Sequence, residues 1–215
     1  MKQSEPTRIL FLCTYNSARS IMAEAVLNHL SQGRFVAYSA GTQPTANGLP
    51  HPMALEVLKS SGIATEGLRS KSWDEFSQAD APTIDLVITL CDGLKNQACP
   101  EWPGKPASAH WSYPDPSMLT GTEQAKMDGF RTILLGILRR IGALANIPSS
   151  KIDRLSLHTT AQEIDMEYNE LLDLFKRTEP LLGAVRKTDL IRAGLKQLTQ
   201  LPDTELISAI KAVQT

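Results

Sequence analysis

Cys13-Thr14-Tyr15-Asn16-Ser17-Ala18-Arg19-Ser20 sets a thiol and a guanidinium at the two ends of a five-residue spacer. A loop of that length can curl so that the backbone N–H groups from Thr14 to Ser20 point inward at a tetrahedral oxyanion. A helix starting near Ala18 would add its positive end behind them. Arg19 supplies a planar fork matched to two anion oxygens. In such a positive cradle Cys13 is expected as a thiolate, several units below the ordinary cysteine value of about 8.5. Ser20 can donate a hydrogen bond to the sulfur, and Asn16 can pin the loop by bonding its backbone. The chemistry these residue types perform together is attack by sulfur on a bound oxyanion.

Two more cysteines follow. Cys91 and Cys99 have seven residues between them, across a segment containing Gly93. A disulfide between them needs only that the segment fold back. Zinc is the rival reading, but this pair with His110 beyond it lacks structural-zinc spacing, so no metal is expected. Asp115 stands between Pro114 and Pro116, where residue type alone reads as a turn former.

The elements that must position these residues alternate from the start. Thr7–Leu12, Phe35–Ala40, Ile84–Leu90 and Pro106–Trp111 read as strands. Ile21, Ala25, Leu27 and Leu30 recur at near-helical spacing before Gly33; Met53–Ser61 reads as a helix stopped by Gly62, and Phe130–Leu144 as a long one. This alternation predicts an α/β fold, a doubly wound parallel sheet with helices on both faces. Ligands in such sheets bind beyond the carboxyl ends of the strands, and Cys13, Cys91 and Asp115 all lie just after predicted strands. From about Gln162 the pattern changes to three short amphipathic helices punctuated by Pro180 and Pro202.

Composition bounds the partners. The 215 residues are 42% hydrophobic and 21% charged, enough for one sizeable domain with a small appendage. Lys plus Arg number 22 against 23 Asp plus Glu, a net charge of -1, which offers no footprint for nucleic acid or an anionic membrane. No apolar run approaches the roughly 20 residues of a membrane span, and Ile9–Leu12 is too short for a signal-peptide core. Three cysteines are too few, and odd in number, for a disulfide framework; the expectation is a reduced, cytoplasmic protein. His29, His51 and His158 read as surface or packing residues, Trp73 as a hydrophobic edge, and Glu24 as an exposed helix carboxylate.

Phe11–Ala25, FLCTYNSARSIMAEA, resembles the active-site segment of the low-molecular-weight tyrosine phosphatase superfamily, in particular its arsenate reductase branch. Tyr38–Thr42, Cys91-Asp92 with Cys99–Gly104, and His110–Pro116 agree in order. The likeness extends through Arg139-Arg140 and Ile147–Leu157, defining a domain over 1–161 and leaving 162–215 as a helical extension of unknown role.

The resemblance implies a four-stranded sheet in the order 2-1-3-4, with Cys13 as nucleophile and Arg19 as oxyanion clamp. Asp115 becomes the general acid that protonates the departing oxygen. It implies arsenate as substrate, with phosphate as a competing anion. No bound cofactor is implied; the co-substrate is a thiol reductant, thioredoxin or glutathione with glutaredoxin. A reductase takes two electrons from thiols for each arsenate, so a second sulfur must come from Cys91, Cys99 or glutathione. Cys91 is expected as first attacker on the adduct, with Cys99 carrying the disulfide outward. Ala18 stands where many phosphatases of this fold have cysteine, so no disulfide can form within the loop, and Ser117 stands where they usually have tyrosines walling the substrate ring, which suits a small inorganic anion. A low-molecular-weight protein tyrosine phosphatase is the alternative, and a non-catalytic oxyanion-binding regulatory module the third reading. The C-terminal helices would pack on their own domain, form a homodimer or dock a redox partner. Because every matched motif lies upstream, their removal is expected to spare the chemistry.

Overall fold

A computed structural model describes residues 5–94, 102–147 and 154–182. The chain separates into two compact units, Met1–Tyr168 and Asn169–Thr215. In the first, strands β1 (Thr7–Cys13), β2 (Phe35–Gly41), β3 (Leu86–Thr89) and β4 (Ala107–His110) form one sheet in the order β2-β1-β3-β4. All neighbours are parallel, with Cys13 opposite Gly41, Leu12 opposite Thr89, and Thr89 opposite His110. Central β1 is buried on both faces, which is why its sequence shows no polar alternation. Ile9 and Phe11 join the core formed with helices α1 (Arg19–Leu30), α2 (Pro52–Ser60) and α3 (Glu123–Ala145). Leu10, Leu12 and Cys13 join a second core with Val87, Cys91 and Trp102. The 3₁₀ helix Trp73–Ser77 closes that side, where Trp73 meets Trp102 edge to face at 6.1 Å.

Two helices start earlier than their apolar stripes suggest. The α3 helix begins seven residues before Phe130, at Glu123, because the hydroxyl of Thr122 caps it by accepting from Ala125 N–H at 3.2 Å. Its first two turns face solvent and show no stripe. The first C-terminal helix, α4, begins at Arg154 and runs without a break to Leu182, past Pro180. Ala161 and Ile164 enter the main core. Trp111 Nε1–H donates to Ala161 O at 2.8 Å, and the His158 ring nitrogen Nδ1 lies 2.6 Å from Ser108 O, so His158 is a packing residue. The second and third predicted C-terminal helices lie outside the described residues, as does Cys99. No described helix is long and apolar enough to cross a membrane.

Candidate active site

The loop from Thr14 to Ala18 runs directly from the end of β1 into α1, and Ala18 at the N-cap offers no side-chain cap to the first amides. Cys13 Sγ accepts from Asn16 N–H at 3.1 Å and lies 2.9 Å from Ser20 Oγ. Asn16 has φ 46°, a left-handed conformation that Asn tolerates better than most residues. Its side chain fixes the loop rather than its own backbone: Nδ2–H donates to Ser20 Oγ and Ser39 Oγ, each at 2.9 Å, and Oδ1 accepts from Lys71 N–H at 2.8 Å. Ser20 Oγ is thus an acceptor for Asn16, which leaves its proton for the sulfur. Ser39 in turn donates to Glu24 Oε2, which Lys71 Nζ also reaches at 3.3 Å. The expectation of an exposed Glu24 is corrected here. Its side chain is 13% exposed and that of Lys71 8%, because each buried charge needs the other.

Gly41 explains the Ser-Ala-Gly ending of β2. A Cβ there would stand 2.6 Å from Thr14 O and 2.9 Å from Asn16 N, both backbone atoms that cannot swing aside. Gly41→Ala is therefore expected to displace the loop and cut turnover by about 10²-fold, while overpacking costs about 1–3 kcal/mol of stability. Turnover beside a urea titration checks both effects; an unchanged rate would mean the loop tolerates the shift.

Arg19 is buried. Its Nη1–H donates to Tyr113 O at 3.1 Å and its Nη2–H to Asp115 Oδ2 at 2.6 Å. Asp115 Oδ1 accepts from Ser117 N–H at 3.0 Å and from Ser117 Oγ–H at 2.7 Å, capping the 3₁₀ turn Pro116–Met118. One carboxylate oxygen is the turn former and the other faces the site. The expectation of a depressed Cys13 thiol is corrected: burial pushes it up, against weaker downward pulls from Ser20, Arg19 and Asn16. The physical reason is burial: Cys13 is 3% exposed, so water is not there to solvate a thiolate.

Cys91, just past β3, is buried with its sulfur 3.5 Å from Thr14 Oγ1, so the second thiol lies against the anion loop. Asp92 beside it is held by Ser112 Oγ–H at 2.8 Å and by His110 Nε2 at 3.3 Å, while His110 Nδ1 lies 2.7 Å from Thr89 Oγ1. Among the described residues, no group of three or more His, Cys, Asp or Glu is arranged to hold a metal. Tyr15 is 51% exposed with ordinary backbone, its carbonyl accepting from Ser70 Oγ–H at 3.0 Å.

His51, read from the sequence as a surface or packing residue, packs and also ties the anion loop to α2. Its N–H donates to Ser17 O at 2.8 Å, its Nδ1 caps α2 by accepting from Met53 N–H, and its ring stacks on Phe130 at 4.8 Å. The signal was present: a polar residue followed by Pro at the first helical position. Burial lowers the His51 value below 6.5, against a weaker upward pull from Asp115. A depressed folded value means His51 favours the fold fully above about pH 6.5 and loses that contribution as pH falls. Urea midpoints should drop less between pH 7 and 5 in His51→Asn, which keeps a capping acceptor, than in the wild type.

The family profile described as low molecular weight phosphotyrosine protein phosphatase matches residues 8–156. The arsenate reductase of Halalkalibacterium halodurans is 35% identical over 137 residues, covering 64% of this chain and 94% of the relative. The glutaredoxin arsenate reductase of Synechocystis sp. is 28% identical over 134 residues, covering 62% and 92%. A solved structure described as an arsenate reductase in the oxidized state superposes with a TM-score of 0.52 at 27% identity, over 65% of this chain and 96% of that one. The strand order, the Cys13–Arg19 loop and the extent of the match lead to one assignment: this chain belongs to the low molecular weight phosphotyrosine protein phosphatase family.

Proposed function

We propose that this protein reduces arsenate to arsenite through a Cys13–arsenic adduct. The observation that carries this over phosphatase chemistry is the second buried thiol, Cys91, against the loop that holds the first. Phosphate-ester hydrolysis needs one sulfur, whereas taking arsenic from the +5 to the +3 state needs two electrons from thiols.

The loop amides and Arg19 hold the anion. Cys13 sulfur bonds to arsenic and one arsenate oxygen leaves as water, taking the thiol proton and the anion's own proton in the net balance. Asp115 relays the proton to that oxygen. The hydroxyl of Ser20 and the N–H of Asn16 then face sulfur as its negative charge develops. A second thiolate attacks Cys13 sulfur, the S–As bond breaks with its electron pair on arsenic, and arsenite leaves as a disulfide forms. The Thr14 contact supports Cys91 as that attacker, with Cys99 carrying the disulfide outward; glutathione is the alternative resolver. Thioredoxin, or glutathione with glutaredoxin, restores the thiols. The setting is the reducing cytoplasm, with phosphate a competitor for the loop. The residues that touch the anion lie within 1–161, and the 162–215 extension is open to dimerisation.

Purified protein given arsenate with each donor system in turn should release arsenite over many turnovers. Hydrolysis of an aryl phosphate without arsenite would make it a protein tyrosine phosphatase, and turnover of neither would make it an oxyanion-binding module. Asp115→Asn should lower kcat by about 10²–10⁴-fold without weakening phosphate affinity. Kinetics on the folded fraction identical to wild type would leave Asp115 as a turn former.

A further inference from the structure

The loop that carries Asp115 has no regular structure of its own, yet its aim decides where the carboxyl and the Arg19 fork point. Arg140 of α3 holds it from behind. This arginine is 1% exposed; its Nη1–H donates to Ser112 O at 3.1 Å, and its guanidinium lies over the Tyr113 ring at 4.5 Å. Tyr113 supplies the carbonyl that receives Arg19, and its hydroxyl, which burial keeps protonated, donates to Gly136 O at 3.4 Å.

What steadies Arg140 comes from α4. Asp165 Oδ1 meets its Nη2 at 2.7 Å, and the Tyr168 ring lies 4.0 Å from the guanidinium carbon and 6.5 Å from the Tyr113 ring, so the guanidinium packs against both tyrosines. A planar cation can stack and donate in its plane at once, which a lysine could not do. Gly136 makes the room: a Cβ there would stand 2.7 Å from Tyr168 Oη and 3.2 Å from Tyr113 Cε1. Both Asp165 and Tyr168 lie beyond the family-matched segment, which ends at 156, and within the first compact unit.

We propose that Asp165 and Tyr168 are positioning residues for catalysis: through Arg140 they fix the Ser112–Asp115 loop, and with it the general acid and the Arg19 clamp. The start of the C-terminal extension is then a working part of the site. Removing everything after residue 161 should impair turnover, contrary to what the placement of the motifs suggests. The kinetic part of this proposal rests on the arsenate reductase reading; the anchoring part does not.

The test uses full-length Asp165→Asn, Asp165→Glu and Gly136→Ala, with amide hydrogen exchange over residues 111–119 and kcat, KM and pH profile for arsenite release. Gly136→Ala displaces Tyr168 while favouring the α3 helix itself, which guards against simple unfolding. Expected is faster exchange in the loop with β1 protection unchanged, and kcat lower by about tenfold to a hundredfold in Asp165→Asn and Gly136→Ala. The pH profile should shift where Asp115 acts, and Asp165→Glu should recover most of both losses. Unchanged loop exchange, or faster exchange with wild-type kcat and pH profile in the folded protein, would overturn the proposal. If the wild type releases no arsenite, the functional reading fails by itself and the same kinetic comparison is made on aryl phosphate hydrolysis. Loss there with Glu rescue supports positioning, and no loss, or no hydrolysis by the wild type, overturns it.

Discussion

Cys13→Ser is expected to abolish arsenite release and any aryl phosphate hydrolysis together, by at least about 10⁴-fold. A serine in this position keeps the contacts available to the sulfur, Asn16 N–H at 3.1 Å and Ser20 Oγ at 2.9 Å. The fold and the loop should therefore survive, and phosphate should still bind. What is lost is the nucleophile: a hydroxyl ionises far less readily than a thiol, and oxygen cannot take part in the later sulfur exchange. Phosphate binding by calorimetry, beside both assays, separates the loss of chemistry from a loss of structure. Retained turnover would remove this loop from the site. Arg19→Lys gives the companion result for the clamp, because a point charge cannot serve Tyr113 O, Asp115 and an anion with one rigid fork.

The second large effect concerns electrons rather than binding. Cys91→Ser should complete the first attack and then stop, with multiple-turnover arsenite release falling by at least about 10²-fold while aryl phosphate hydrolysis continues. The trapped species is protein carrying arsenic on Cys13, visible as an added mass in intact-protein spectrometry. The reason lies in the sheet: Leu12 pairs with Thr89 across β1 and β3, so both sulfurs leave the same edge within one or two residues of that pair. Full turnover by Cys91→Ser in the glutathione system would transfer the resolving role to glutathione. Cys99→Ser should instead leave the first attack by Cys91 intact and slow the return of the disulfide to the donor.

The nucleophile loop was legible because its parts are contiguous: Cys13, Asn16, Arg19 and Ser20 sit within one strand-to-helix connection. Most of the sheet was legible for the same reason, since β1 and β3 are short apolar runs, whereas β4, Ala107–His110, carries little apolar signal. Strand order came from family resemblance, as no local pattern encodes which strands pair. What escaped notice is built from distant residues. Glu24 and Lys71 are far apart in the chain and ordinary in type, and only the fold converts them into a buried pair behind Ser39. The Cys13 thiol was misjudged because burial of the sulfur, which only the assembled fold creates, outweighs the pulls of Ser20, Arg19 and Asn16. The start of α3 was hidden by exposed polar turns, and α4 was placed late because its first described core residue is Ala161.

The short contact between Arg19 and Asp115 also bears on which anions can enter. With its own carboxylate on the fork, the protein carries an internal competitor, and any dissolved anion must displace it to gain the guanidinium. The apparent affinity for each anion is then its intrinsic affinity scaled by the fraction of molecules in which the fork is free. A singly charged ion such as chloride or acetate gains too little from the loop amides to shift that fraction. A tetrahedral dianion engages the amides and the fork at once, and can. Discrimination by charge and shape would therefore begin at the fork, before any bond is made, and be set by the same residue that the proposed mechanism uses to deliver the proton.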